Sequence, residues 1–183
     1  MTVVDIRRVA TPDLTSDEIL ALRTLLWAAF EDDEDGAFTE DDWQHALGGV
    51  HVIGSVEGRI VAHGSVVARD IRVAGVPLAT GYVEAVAVEP AEQGSGHGTA
   101  VMREVGAIVT GSYELGVLGT GEQGFYERLG WRTWQGPSFV RLPSGDERTP
   151  DEDGSLMVLP TLTTPSIDIH APISCDWRPG DVW

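Results

Sequence analysis

The chain has 183 residues, is 42% hydrophobic and carries a formal net charge of −17. That length supports one domain, residues 1–183, with a sizeable core, and the apolar content suits a globular fold rather than a disordered one. The acidic balance excludes a nucleic-acid partner, which needs a basic face. A strongly negative surface instead draws in cationic ligands, although it also serves solubility alone. No apolar stretch is long enough to span a bilayer, and no charged-then-apolar leader opens the chain. No membrane partner is therefore expected, and the expected location is cytoplasmic. Cys175 is the only cysteine, so an internal disulfide is impossible and a packed or idle thiol is expected.

In chain order, Val3 to Val9 reads as a first strand. Thr15-Ser16-Asp17-Glu18 is a capping box, after which Ile19, Leu22, Leu26 and Phe30 fall on one helical face. Glu31 to Asp35 is five consecutive acids and reads as a solvated loop. Thr39 to Asp42 opens a second short helix containing Trp43. Val50 to Val56 and Arg59 to Ile71 read as strands joined at Glu57-Gly58. A turn near Ala74-Gly75 leads through Val76 into a strand ending at Val88, completing an antiparallel meander. A helix over Thr99 to Thr110 follows, then a strand near Leu115 to Leu118 and a helix around Gly121 to Leu129. Phe139 to Leu142 and Leu156 to Leu159 look like closing strands. The tail from Thr161 has prolines at 165, 172 and 179 and little periodicity. The order predicts an α+β fold on one mixed, mostly antiparallel sheet flanked by helices.

Between the strand ending at Val88 and the next helix lies Glu89-Pro90-Ala91-Glu92-Gln93-Gly94-Ser95-Gly96-His97-Gly98. A glycine-rich turn feeding a helix N-terminus aims backbone N–H groups at one point, which suits an anion such as a pyrophosphate. The P-loop is ruled out because His97-Gly98-Thr99 replaces its Gly-Lys-Ser/Thr ending. The dinucleotide fingerprint is ruled out because Ala100 does not complete Gly-x-Gly-x-x-Gly. A plain tight turn before a helix is the rival reading.

Gln93, Gly96 and Gly98 do match Gln-x-x-Gly-x-Gly, which resembles the coenzyme A loop of the GCN5-related N-acetyltransferase (GNAT) superfamily. The resemblance implies that fold, with its central strands splayed, acetyl-CoA as cofactor and a homodimer as assembly. It implies that the pyrophosphate lies on Gln93, Gly94, Ser95, Gly96, His97, Gly98 and the start of the helix at Thr99. It further implies that N–H groups of Val86, Ala87 and Val88 face the thioester and pantetheine. Glu84 is an acid in an apolar strand, a costly placement unless paired or solvated. It is the candidate general base, the rival being a solvent-facing position. Tyr126, in Gly124-Phe125-Tyr126-Glu127, matches the superfamily's helix tyrosine and is the candidate general acid, against a core aromatic.

Further segments resemble the aminoglycoside 2′-N-acetyltransferase family: Phe38-Thr39-Glu40, Asp42-Trp43, Leu47-Gly48-Gly49, Gly81-Tyr82-Val83-Glu84, Gly130-Trp131 and Gly136-Pro137. The most specific are residues 148–154, Arg-Thr-Pro-Asp-Glu-Asp-Gly, and residues 175–183, Cys-Asp-Trp-Arg-Pro-Gly-Asp-Val-Trp. This resemblance implies acetylation of a drug's 2′-amine and antibiotic resistance as the outcome. It places Asp42, Glu84, the backbone of Ala85, Asp151 or Glu152, Asp181 and the terminal carboxylate of Trp183 toward the drug. Asp42 also stands where a capping-box acid would. Ala37 and Gly119 depart from the family pattern, the first replacing an acid and the second a sugar-contacting hydroxyl residue. Another cationic amine (a polyamine, an amino sugar or a cell-envelope precursor) is the alternative acceptor. His45, His51, His63, His97 and His170 show no metal-ligand spacing and read as structural or surface residues, so no metal is expected.

Overall fold

In the computed structural model, which describes residues 4–31 and 36–183, local chemistry fixes most element ends. Strand β1 is Asp5–Ala10, and helix α1 is Ser16–Ala29. The Thr15 hydroxyl accepts from the Glu18 N–H, and the Glu18 carboxylate reaches back to the Thr15 N–H. Leu22 and Leu26 of the expected face are fully buried, with Ile19 and Phe30 packed against the same core. Val3 and acids 32–35 of the expected loop lie outside the described residues. Helix α2 is Glu40–His45, opened by a second capping box between Thr39 and Asp42. Strands β2 (Val50–Val56), β3 (Arg59–Val73) and β4 (Val76–Val88) follow as the meander. Glu57 and Ala74 both adopt φ +50° and Gly58 and Gly75 φ +79°, the left-handed pairs that two-residue hairpin turns require.

Helix α3 is His97–Ser112 and strand β5 is Leu115–Gly119. Helix α4 covers Gln123–Glu127, shorter than expected at both ends: Gly121 and Glu122 precede it, and residues 128–130 form a turn closed by Gly130 at φ +92°. Strands β6 (Arg132–Thr133), β7 (Ser138–Leu142), β8 (Gly145–Arg148), β9 (Leu156–Pro160) and β10 (Ile173–Asp176) complete the fold. The class is α+β, as the sequence predicts. No helix among the described residues is long and apolar enough to cross a membrane.

The chain forms two units, and β3 and β4 each contribute to both. The first unit contains residues up to Val67 together with Val83–Val105. Its strands β1, β2 and β3 pair antiparallel, with Asp5 opposite Ser55 and Val52 opposite Gly64. Leu22 and Leu26 of α1, Trp43 of α2 and Phe38 just before α2 meet Val9, Ile53 and Ala87 in one core. On Gly64, a Cβ would stand 3.2 Å from Val101 and 3.3 Å from Val105, so the missing side chain lets α3 sit close on β3.

The second unit contains Ala68–Tyr82 and Gly106–Trp183. Its strand order is β6-β9-β5-β4-β3-β10-β7-β8. The parallel pairing of β4 with β5 runs from Thr80↔Leu115 to Tyr82↔Val117. Here the tail departs from its sequence reading. Strand β10 inserts between β3 and β7, antiparallel to one and parallel to the other. Four residues are too few to show periodicity, and Ile173, Ser174 and Cys175 are all buried, so no alternation marks them. Partners far along the chain hold the strand instead. Trp134 Nε1 donates to the Ala171 carbonyl at 3.1 Å, and the Gly136 N–H donates to the Ile169 carbonyl at 3.0 Å.

Gly136 marks the closest approach of the tail, because a Cβ there would lie 2.0 Å from the Ala171 oxygen. Gly136→Ala is expected to push the tail away from β7 and to cost about 1–3 kcal/mol as overpacking. At roughly 2–4 °C per kcal/mol for a chain of this size, thermal melts read the loss directly.

Candidate active site

Strand β4 runs regularly until Glu84 and Ala85, where it kinks. Ala85 holds φ +51°, a left-handed conformation that costs a non-glycine residue about 1–2 kcal/mol. Two donors on β3 accompany it. His63 Nδ1 donates to the Ala85 carbonyl at 2.7 Å, and Ser65 Oγ donates to the Glu84 carbonyl at 3.3 Å. In a regular strand successive carbonyls point to opposite sides; here two in a row turn to β3. Trans peptides hold C=O and N–H antiparallel. The N–H groups of Ala85 and Val86 therefore both turn away from β3, beside the half-buried Glu84. The Glu89 N–H, 2.8 Å from the Val61 carbonyl, restores the ladder. Val86 and Val88 are half-buried, and Ala87 packs into the first unit's core. Ala85, assigned to the acceptor by its backbone, thus presents its N–H, with its carbonyl bonded to His63.

The glycine loop follows directly. A 3-10 turn over Pro90–Glu92 leads to Gln93, and Gly94 and Gly96 have φ +78° and +87°. A Cβ on either would meet nothing within 4 Å, so the positive φ, rather than crowding, requires glycine there. The open face is the cradle that a pyrophosphate needs. The Ala100 N–H donates to the Gly96 carbonyl, so α3 starts with the N–H groups of His97, Gly98 and Thr99 in its first turn, beyond the reach of intrahelical acceptors. Gln93 and Ser95 are exposed. His97 is buried with Nε2 3.5 Å from Glu92, and Arg59 grips both Glu89 and Glu92, at 2.7 Å for the latter. These residues fit coenzyme A.

Asp42, also in the first unit, serves the helix. Its Oδ2 accepts from both the N–H and the hydroxyl of Thr39 at 2.7 Å. The capping role foreseen for it is realised.

The second unit gathers Gly119, Tyr126, Asp151, Glu152, Asp181 and Trp183. Tyr126 is buried, with its ring edge-on to Phe125 and Trp131. Burial pushes its phenol up to about 12, against the pull of the Thr120 hydroxyl. The Thr120 N–H donates to the Ser155 carbonyl and Gln123 Nε2 to the Gly154 carbonyl, both at 2.9 Å, which ties Gly119 and α4 to the acidic turn at Asp151-Glu152. The tail docks on that turn. Trp183 is buried, with its indole N–H 3.0 Å from Thr149 Oγ1, and its main-chain N–H bonds Asp181 at 3.0 Å. Arg178 donates to the main-chain oxygen of Trp183 at 3.0 Å and lies 5.5 Å over the Tyr82 ring. Arg69 holds the Val182 carbonyl at 2.8 Å and lies 4.8 Å over the other partner, the same Tyr82 ring. Cys175 is buried, its thiol raised to about 11 by burial, and donates to Val182. It is the packed thiol expected of it.

Arg69, Arg178, Thr149 and Tyr82 were not foreseen, because each acts on residues far away in sequence. His51, His63 and Ser65 did leave a signal, as polar residues at alternate positions of otherwise apolar strands. All three are fully buried. Among the described residues there is no group of three or more side chains suited to hold a metal.

A strand kinked beside a carboxylate and running into a left-handed glycine loop on a helix N-terminus defines an acyl-coenzyme A-dependent acetyltransferase. The family model for the acetyltransferase (GNAT) domain matches residues 11–134. The aminoglycoside 2′-N-acetyltransferase of Mycolicibacterium fortuitum is 42% identical over 181 residues, covering 97% of this chain and 91% of that protein. The fold is shared with a GNAT acetyltransferase of Brucella melitensis solved with acetyl-CoA, with a TM-score of 0.63, 18% identity, and 94% and 96% of the two chains covered. It is shared also with an Escherichia coli GNAT acetyltransferase solved with CoA, with a TM-score of 0.66, 14% identity, and 96% and 91% covered. The chain belongs to the GNAT acetyltransferases and, within them, to the aminoglycoside 2′-N-acetyltransferase family. Its cofactor is acetyl-CoA.

The buried histidine pair gives the site an acid limit. Burial pushes His63 down to about 3, with the neighbouring His51 adding to the fall, and pushes His51 down to about 4. Unfolded histidines titrate near 6.5. Below that pH the unfolded chain binds protons that the folded one refuses, so stability falls as pH drops from about 6.5 toward 4. Urea midpoints at pH 7, 6, 5 and 4 should decline, and His51→Asn should flatten the decline.

Proposed function

We propose that this acetyltransferase acts on the 2′-amine of aminoglycoside antibiotics, and that resistance is the outcome. The observation that carries the reading is the 42% identity to the Mycolicibacterium fortuitum aminoglycoside 2′-N-acetyltransferase across 97% of this chain. The acids on the docked tail and its turn support it, since a hydroxyl-rich polycation is best held by clustered carboxylates. By the family resemblance, the residues assigned to the drug are Asp42 in the first unit and Asp151, Glu152, Asp181, Trp183 and the segment around Gly119 in the second. Residues 1–183 act as one catalytic domain.

Acetyl-CoA, held by Gln93 to Thr99 and by Val86 to Val88, supplies an acetyl thioester open to attack by an amine. Glu84 takes the proton from the acceptor ammonium through a water, leaving the nitrogen lone pair to form the C–N bond. The N–H groups of Ala85 and Val86 stabilise the oxygen charge that develops, as fixed dipoles that need no reorganisation. Tyr126, kept protonated by burial, gives its proton to the departing sulfur as the C–S bond breaks. The nitrogen gives up its second proton to solvent as the intermediate collapses, and the proton on Glu84 returns to the tyrosinate through solvent, so one proton is released for each amide formed. Acetylation removes one positive charge from the drug. We place this reaction in the cytoplasm, in keeping with no helix among the described residues being long and apolar enough to cross a membrane, and the protein in a homodimer, on the superfamily resemblance; light scattering reads the second.

Purified protein with acetyl-CoA and gentamicin or tobramycin should release free thiol, whereas a drug lacking the 2′-amine should not. No release from any 2′-amino drug would sink the reading. Glu84→Gln and Tyr126→Phe should each lower kcat by about 10²–10⁴-fold without abolishing cofactor binding. Full rates in both across pH would remove their roles.

One observation favours a different amine. Ala37 and Gly119 leave the family pattern, and Asp42 Oδ2 is engaged by its own helix cap. An acceptor panel decides, a much larger kcat/KM for a polyamine or another amino sugar identifying the alternative. At Gly119, a Cβ would lie 3.8 Å from the Tyr82 hydroxyl and 3.9 Å from Leu156, so a serine fits without displacement. If aminoglycosides are the acceptors, Gly119→Ser should lower the drug KM about 3–10-fold, an added hydrogen bond contributing ~1 kcal/mol. An unchanged or higher KM would detach this position from drug binding.

A further inference from the structure

The two buried histidines have an arrangement that core packing alone does not require. His63 bonds the Ala85 carbonyl through Nδ1, and its Nε2 lies 2.9 Å from His51 Nδ1. His51 Nε2 lies 2.9 Å from the Thr11 hydroxyl, which accepts from the Gly48 N–H at 2.9 Å. The direction of every bond follows from one end. A carbonyl only accepts, so His63 carries its proton on Nδ1. In the neutral ring Nε2 is then an acceptor, so His51 must carry its proton on Nδ1 as well. His51 Nε2 is bare in turn and accepts from the Thr11 hydroxyl at 2.9 Å, the nearer of that hydroxyl's two acceptors, the Gly49 carbonyl lying at 3.3 Å. Burial keeps both rings neutral, His63 at about 3 and His51 at about 4. Each side chain thus fixes the tautomer of the next, and the chain of donors ends on the one left-handed residue of β4.

We propose that His63, held in its tautomer by His51 and Thr11, is a positioning residue for acyl transfer: by holding the Ala85 carbonyl on β3 it aims the Val86 N–H group at the reacting carbonyl. The proposal rests on the acetyl-transfer reading and adds to it a cause for the kink. Ala85 has no intrinsic preference for φ +51°, so an outside bond must hold it there. Ser65 holds the preceding carbonyl more weakly, at 3.3 Å. Without the His63 bond, the peptide between Ala85 and Val86 is expected to turn back toward extended geometry, which swings the Val86 N–H out of line.

Two amides of different reach test this. In His63→Asn the side-chain nitrogen takes the place of Nδ1 and keeps the bond to Ala85. In His63→Gln it takes the place of Nε2, next to His51, and the bond to Ala85 is lost. His63→Asn should keep kcat within about 3-fold of the unaltered enzyme. His63→Gln should lower kcat by about 10–100-fold, the scale of one misplaced oxyanion donor. KM and Kd for acetyl-CoA should stay within about 3-fold in both, because the glycine loop is untouched. Equal rates in the two variants, whether both high or both low, would overturn the proposal. Nitrogen-15 NMR of the unaltered protein gives a readout independent of activity. Both histidines should show a protonated Nδ1 and a bare Nε2 from pH 5 to 8, and a protonated Nε2 on His63 would also overturn it. Failure of the unaltered enzyme to transfer acetyl at all would instead strike the functional reading, and the NMR assignment would still decide whether His63 holds Ala85.

Discussion

A β-strand alternates its N–H groups from side to side, so it cannot aim two neighbouring ones at the same atom without breaking its own ladder. In this protein β4 breaks at Ala85, and the break is stable only because two β3 side chains accept the task that backbone N–H groups perform elsewhere in the sheet. Buried carbonyls left without donors would each cost about 1–3 kcal/mol. His63 and Ser65 remove that cost, and the geometry that results is the one an acyl transfer needs. Glu84 and the N–H pair lie at this break, and the glycine loop follows it after the ladder resumes at Glu89.

The same economy appears in the second unit, where side chains hold the end of the tail beyond the backbone ladder of β10. Arg69 and Arg178 both stack on Tyr82 and both grip main-chain oxygens near the end of the chain. The planar guanidinium does both jobs at once, hydrogen-bonding at its edge while its face lies on an aromatic ring. Trp183 then fixes the acidic turn through Thr149, so the acids at 151, 152 and 181 share one rigid support.

What was legible in the sequence was local. The capping boxes at Thr15 and Thr39, the turn pairs at Glu57-Gly58 and Ala74-Gly75, and the glycine loop each depend on residues within a few positions of one another. Strands β2 and β4 were read to their ends because alternating or continuous apolar runs stop at such signals. The kink was not legible, since Ala85 is an ordinary alanine whose conformation is imposed by donors 20 or so residues earlier in the chain. Strand β10 was not legible either, because its ladder is made with β3 and β7, and Ile173-Ser174-Cys175-Asp176 shows no pattern of its own. The rival roles at Asp42 illustrate a different limit. Sequence gave two uses for one carboxylate, and only the bonds to Thr39 show which one the fold itself makes.

The charge follows from the same division of labour. Every basic side chain apart from the histidines is an arginine, and at least eight of the twelve are ion-paired with acids among the described residues. Most of these pairs are exposed and add little stability. Their effect is positional, as where Arg59 ties the start of the glycine loop to β3 and Arg23 ties α2 to α1 through Glu40. Once the arginines are engaged in this way, the surplus of acids that gives −17 has no internal partner to neutralise it. The excess is felt at distances beyond any single contact, within the roughly 8 Å over which physiological salt leaves charges visible. A polycation is attracted by that field before it touches a side chain, and an anion is repelled by it. In the proposed assignment the negatively charged cofactor is held against that field by the short-range N–H cradle of Gly94 to Thr99. The cradle thus selects by geometry where the surface selects by sign, and an enzyme that binds an anion and a cation together needs both.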